Sequence, residues 1–146
     1  MSDETETLSA GQKVATTVAE SEFERFTEAM DFNLDPKGWD DEDKKSFNDT
    51  KAILVRAIER GHLIINVDGE PVYTPQSGQD KTPITFHEPK GSHFTSTDMK
   101  KPGHIVGKTH LLLAQMTGCP IGRFESMVQR DYKVCTSVLG LFLGSR

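Results

Sequence analysis

The stretch IVGKTHLLLAQMTGCPIGRFESMVQRDYKVCTSVLGLFL, residues 105–143, decides the fold. It has the densest apolar content of the chain and contains both cysteines. Its punctuation divides it into three helices. Over Ile105–Thr117, Ile105, Leu112 and Met116 recur on one helical face, and Val106 and Leu113 widen it. Gly118 supplies the stop, and Pro120 cannot continue the same helix. A short helix is expected from Gly122 to Arg130, carrying Phe124, Met127 and Val128. Asp131 is expected to cap a third helix that turns Tyr132, Cys135, Val138, Leu139 and Phe142 inward.

Upstream of this helical block the period changes from helical to alternating. Leu63–Val67 reads as a strand, Asp68-Gly69 as a type I′ hairpin turn, and Glu70–Thr74 as the return strand. Pro71 has no N–H to give a ladder, which places that strand at an edge. Residues 75–81 form a polar loop. Thr82–His87 is a third strand, with Ile84 and Phe86 on one face and Thr85 and His87 on the other. Glu88-Pro89-Lys90-Gly91 ends it. Ser92–Met99 is weakly helical, and Pro102-Gly103 closes that segment. Three short strands need a cover for their apolar face, and helices must provide it. The fold class is therefore α+β: a small antiparallel sheet of about three strands covered by helices.

Residues 1–20 are expected to form a disordered acidic arm, because so few large apolar residues cannot offset the entropy of ordering. Residues 21–61 read as an N-terminal helical extension. Ser21 can cap a first helix whose apolar face is Phe23, Phe26 and Met30, packed on the domain or offered to a partner's groove. Asp35-Pro36-Lys37-Gly38 is a turn. A second helix follows over residues 41–60, capped by Asp40 or Asp41. Its acids stand at the start and Arg56 and Arg60 at the end, as the macrodipole favours. Phe47, Leu54, Val55 and Ile58 make its buried stripe, and Gly61 stops it.

The chain of 146 residues is one domain, or one small domain with a tail, and its net charge is −5. That charge is uneven: residues 1–43 carry 13 acids against 3 Lys or Arg, and residues 44–146 carry 9 against 14. Overall acidity excludes sequence-independent nucleic-acid binding, which needs a net basic footprint. Lys100, Lys101, Lys108, Arg123, Arg130 and Lys133 can still form a basic face, which reads as a solvated surface complementing the acidic N-terminus. No apolar run approaches the length of a membrane span. The acidic start is unlike a secretory leader, so a soluble intracellular protein is expected.

No catalytic constellation emerges. Gly103-His-Ile-Val-Gly107-Lys108-Thr109 approaches a phosphate-binding loop, but Pro102 stands where that loop needs glycine, and no buried strand precedes it. None of His62, His87, His93, His104 and His110 is paired at a helical ligand spacing, so neither a metal nor any other cofactor is expected. Cys119 and Cys135 are 16 residues apart and read as buried thiols. Among Glu88, Asp98, Glu125 and Asp131, nothing pairs two carboxylates.

Residues 63–143 resemble the Mu-like phage tail assembly chaperones of contractile-tailed phages. The motifs that carry the resemblance come in order. The first is a hairpin, Val67-Asp68-Gly69-Glu70-Pro71-Val72. A strand ending in Glu88-Pro89-Lys90-Gly91 follows, then Thr97-Asp98 in a polar stretch. Next is the leucine-rich Leu111–Met116 closed by Thr117-Gly118-Cys119-Pro120, and last an Asp131-Tyr132 helix start running to Phe142-Leu143. Residues 1–60 extend beyond the short N-terminus expected of that family, and His87 stands where a basic residue such as arginine is common. The resemblance makes residues 62–146 a tail-chaperone-like domain and implies a non-enzymatic function in the host cell cytoplasm. Such a protein binds the tape measure protein and keeps it soluble until the tail tube assembles. The tail tube protein is a second partner, and self-association into a homo-oligomer is left open. Candidate partner-binding residues are Phe94, Met99, Leu112, Met127 and Tyr132. The charged arm and the open sheet edge also suit a small virion structural or adaptor protein of the tail or baseplate.

Overall fold

A computed structural model describes residues 11–78, 80–90 and 105–144. The fold is α+β. Helices α1 (Thr16–Ala29) and α2 (Asp41–Glu59) precede strands β1 (Leu63–Ile65), β2 (Pro71–Tyr73) and β3 (Ile84–Thr85). Helices α3 (Ile105–Thr117), α4 (Ile121–Glu125) and α5 (Gln129–Gly144) follow. The sheet is antiparallel in the order β1-β2-β3. Residues 1–10 of the acidic arm lie outside the described residues, as does the weakly helical segment Ser92–Met99 with its closing Pro102-Gly103.

Helix α2 starts where local chemistry dictates. The Asp40 carboxylate accepts from the Asp43 N–H at 2.7 Å, and the Asp43 carboxylate accepts from the Asp40 N–H at 3.3 Å. Two orphan donors are thus satisfied reciprocally. Gly61, at φ +77°, ends the helix. Helix α1 has no such signal. It begins at Thr16, five residues before the expected cap Ser21, and Ala15 at its N-cap offers no side-chain acceptor. Its start is fixed by tertiary contacts instead. The Lys13 and Val14 N–H groups both donate to the Glu59 carbonyl at the end of α2, and the Thr16 hydroxyl donates to the Glu59 carboxylate.

The hairpin differs from the type I′ turn expected. Type I′ needs positive φ at both central residues, and here Gly69 has it, at +82°, while Asp68 does not. The loop is Val67-Asp68-Gly69. The Gly69 N–H donates to the Asn66 carbonyl, and the Asn66 N–H donates to the Glu70 carbonyl. The Asn66 side-chain oxygen accepts from the Asp68 and Glu70 N–H groups, both at 2.9 Å. A three-residue loop with glycine in the left-handed region results. A methyl group on Gly69 would lie 2.3 Å from the Ala29 Cβ, so the turn docks closely on the end of α1.

Strand β2 is central, not at the edge. Pro71 is tolerated because it is the first residue of the strand, where a missing donor costs least. Its carbonyl still accepts from the Phe86 N–H. A side chain covers the end of the free side of β1: the Arg25 guanidinium donates to the outward Ile65 carbonyl and to the Asn66 carbonyl of the hairpin while pairing with Glu22. On the far side, the His87 N–H donates to the Met116 carbonyl, joining the end of β3 to the last turn of α3.

One apolar core holds all these parts. Phe23 and Phe26 from α1 pack with Leu54 and Ile58 from α2, Leu63 and Ile84 from the sheet, and Leu113, Cys135 and Val138 from α3 and α5. Phe26 meets Phe32 and Phe142 edge to face at 5.4 and 5.9 Å, and Phe32 meets Phe142 at 5.1 Å. Each such pair adds about 0.5–1.5 kcal/mol beyond the area buried. The apolar face of α1 is therefore spent on the core. Helix α4 is shorter than expected, ending at Glu125 with Ser126 as its C-cap.

Candidate functional site

Three elements meet at Asp131. It lies in the first turn of α5, is fully buried, and does not cap its own helix as expected. Its carboxylate accepts from the Tyr73 hydroxyl at 2.6 Å and from the Gln76 and Ser77 N–H groups at 2.9 and 3.2 Å. The start of α5 is thereby fastened to β2 and to the loop after it. Three donors satisfy a charge that would be costly to bury alone. Burial, and next the hydrogen bond to Asp131, hold the Tyr73 phenol well above its ordinary range. Burial pushes the neighbouring Cys135 thiol up to about 12, with the Asp131 charge adding to the effect. Cys135 is a packed, unreactive core residue.

Above this junction α2 and α5 border a cleft of about 370 Å³. Its floor is apolar, made by Ile53, Ala57, Val134 and the Tyr73 ring. Its rim is basic. Arg56 on α2 and Arg60 at its C-cap stand one turn apart, Arg130 and Lys133 stand one turn apart on α5, and His62 lies just past the end of α2. Burial, then the Arg60 charge, lower the His62 pKa, while Asp131 pulls it the other way. Arg130 and Lys133 were expected to share a basic face with Arg123. Arg123 instead turns inward, donating to Asp80 at 3.3 Å, to the Thr82 carbonyl and to the Cys119 sulfur at 3.7 Å. Lys100 and Lys101 lie outside the described residues.

A second surface surrounds Trp39, the single tryptophan of the chain. The Asp35–Gly38 turn brings it there. The Asp35 carboxylate accepts from the Lys37 N–H, the Trp39 N–H donates to the Pro36 carbonyl, and Gly38 takes φ +88°. The Trp39 ring lies 5.5 Å from the Phe47 ring at 57°. On one side, Leu34, Pro36, Trp39 and Phe47 line an open groove of about 610 Å³. On the other, Trp39 and Phe47 continue into a hollow of about 330 Å³ reaching Gly140 and Leu141 on α5. No family model, curated protein or solved structure matches the chain.

The candidate partner-binding residues do not gather into one patch. Leu112 is only 6% exposed and packs inward with Leu113 and Met116, so it is not available to a partner. Met127 is half-buried, with its sulfur 3.7 Å from that of Cys135. It lines a separate hollow with Arg123. Tyr132 is half-buried and meets the His110 ring edge to face at 5.4 Å. Phe94 and Met99 lie outside the described residues. Gly107-Lys108-Thr109 falls inside α3, so its N–H groups are not arranged as a phosphate-binding loop. Among the described residues no group of three or more His, Cys, Asp or Glu is placed to hold a metal, and no helix is long and apolar enough to cross a membrane. Sequence reasoning passed over Trp39. A lone tryptophan directly after a turn, eight residues before Phe47, was the signal that could have found it.

Proposed function

We propose that this chain is a phage tail assembly chaperone, working in the host cell cytoplasm. It binds the tape measure protein and keeps it soluble while tail tube protein polymerises around it. The observation that carries this reading is the open aromatic groove at Trp39 and Phe47. A tape measure protein is long and helical. An amphipathic helix can lay its apolar stripe in such a groove, and a tryptophan is a favoured anchor for that contact. The order of the sequence motifs adds support, because four of them lie at joints of the fold. Asp68-Gly69 turns β1 into β2, Glu88-Pro89 leaves β3, Thr117–Pro120 separates α3 from α4, and Asp131 fastens α5 to the sheet, while Thr97-Asp98 lies outside the described residues.

Co-expression with a long, helical tape measure protein tests the reading. The pair should co-purify, and Trp39 fluorescence should shift to the blue as its ring leaves water. Trp39→Ala should weaken the complex at least tenfold. Failure to co-purify with any such protein would sink the function. Co-purification undiminished by Trp39→Ala would move the contact elsewhere on the chain. Mass spectrometry of purified particles separates the chaperone, which should be absent from them, from a retained structural protein.

A further inference from the structure

The basic cleft between α2 and α5 is independent of the Trp39 groove and unused by the proposed function. We infer that it is a binding site for a small phosphomonoester, with the phosphate held by Arg56, Arg60, Arg130 and Lys133 and the organic body resting on the apolar floor.

Four observations carry this. First, the cations converge. Two pairs at helical i,i+4 and i,i+3 spacing, on two packed helices, face one concave space. Like charges at these spacings repel. Arg56 and Arg60 at least complement the C-terminal end of the α2 dipole, but Arg130 and Lys133 have no such reason to be where they are. Second, Arg130 and Lys133 stand in the first two turns of α5, at the end of the helix dipole that disfavours cations. Third, the chain has an excess of acids, 22 against 17 Lys and Arg, yet none of the four cations makes an ion pair among the described residues. Asp131, the carboxylate beneath the floor, is already covered by Tyr73, Gln76 and Ser77. Glu59, beside Arg60 in sequence, accepts from Thr16. Fourth, the space has the size and lining of a small-molecule site, at about 370 Å³ with an apolar base.

The chemistry selects a phosphate. Three guanidinium forks match tetrahedral oxyanions in bidentate geometry, and Lys133 adds a point charge. His62 at the rim offers a ring N–H. Ile53, half-buried on α2, gives an apolar or aromatic body a surface that a bare inorganic ion cannot use.

Isothermal titration calorimetry of the full chain at constant ionic strength tests the site, with phenyl phosphate as the probe. Saturable one-to-one binding is expected, with inorganic phosphate weaker by at least threefold because it leaves the floor empty. The Arg60→Gln/Arg130→Gln variant should bind phenyl phosphate at least tenfold more weakly while melting like the wild type. Arg56→Gln/Lys133→Gln provides a second, independent pair should the first fail to fold. Absence of saturable heat would overturn the proposal. So would folded variants that bind within twofold of wild type, or inorganic phosphate binding as tightly as phenyl phosphate. Sodium chloride producing the same response at equal ionic strength would reduce the effect to screening and overturn it as well.

Discussion

The Tyr73 hydroxyl donates to the Asp131 carboxylate at 2.6 Å, joining residues 58 apart in sequence inside the core. This bond and the two backbone bonds beside it tie the sheet to the last helix. Tyr73→Phe leaves the carboxylate with two donors and should cost about 1–2 kcal/mol. Asp131→Ala strands the phenol and two N–H groups and should cost about 3–5 kcal/mol, since each buried donor left unpaired costs about 1–3 kcal/mol. Urea unfolding of both variants and of the double variant should give a coupling energy of about 1–3 kcal/mol. A coupling near zero would mean that Tyr73 contributes by packing alone.

The same junction makes the fold sensitive to alkali. Burial and Asp131 hold the Tyr73 phenol above its ordinary value near 10, and burial pushes the Cys135 thiol from 9 up to about 12. In the unfolded chain both groups release their protons at their ordinary values, while the folded chain retains them. The native state therefore binds more protons above pH 9, and stability falls as pH rises. The contribution is fully present below pH 9. Between pH 9 and 12 the unfolding free energy should decline. Tyr73→Phe should flatten the part of the decline above pH 10, and Cys135→Ala the part that begins near pH 9. Thermal melts across this range check the sign.

Gly69 is held by two separate constraints. Its φ of +82° strains any residue with a Cβ, and the added methyl would lie 2.3 Å from Ala29. Gly78 has a similar φ of +89° with nothing within 4 Å. Gly78→Ala should thus report the backbone cost alone, about 1–2 kcal/mol. Gly69→Ala should lose about 2–4 kcal/mol, since crowding adds to strain. Equal losses at the two sites would show that α1 yields easily to the turn.

Helix α1 shares one core with the sheet, so the two should unfold together. Phe26→Ala removes a ring enclosed by Phe23, Phe32 and Phe142 and should destabilise the whole domain by about 3–5 kcal/mol. Unfolding followed by Trp39 fluorescence and by far-UV circular dichroism should give coincident transitions. An early, separate loss of helix signal would instead mark α1 and α2 as an independent layer.

How much of this was legible in the sequence follows from where each feature gets its cause. Helix α2 and the break at Gly118-Cys119-Pro120 are written in local chemistry, as caps, glycine and proline, and the reading placed them within a residue or two. The alternation Ile84–His87 likewise gave the buried face correctly. The start of α1 was not legible, because its anchor is the Glu59 carbonyl more than forty residues away. The hairpin type depended on the Asn66 side chain, which supplied an acceptor that the Asp-Gly pair does not reveal. Asp131 looked like a cap because aspartate so often is one, and only the packing of α5 on β2 shows it turned across the core. Arg56 and Arg60 read as dipole partners, and Arg130 and Lys133 as a solvated face. Their convergence on one cleft comes from two helices meeting, which no local window contains.

The Arg25 side chain on the outward Ile65 carbonyl of β1 bears on how the protein behaves in bulk. A bare strand edge is a template on which a second copy can add its own strand, and repeated addition leads to fibres. Here the outward acceptor at Ile65 is already occupied by a guanidinium that is itself paired with Glu22. An incoming strand would have to displace that cation and leave its carboxylate partner without it. Arg25 acts as a gatekeeper at that edge, discouraging sheet-to-sheet polymerisation when copies of the chain are crowded together.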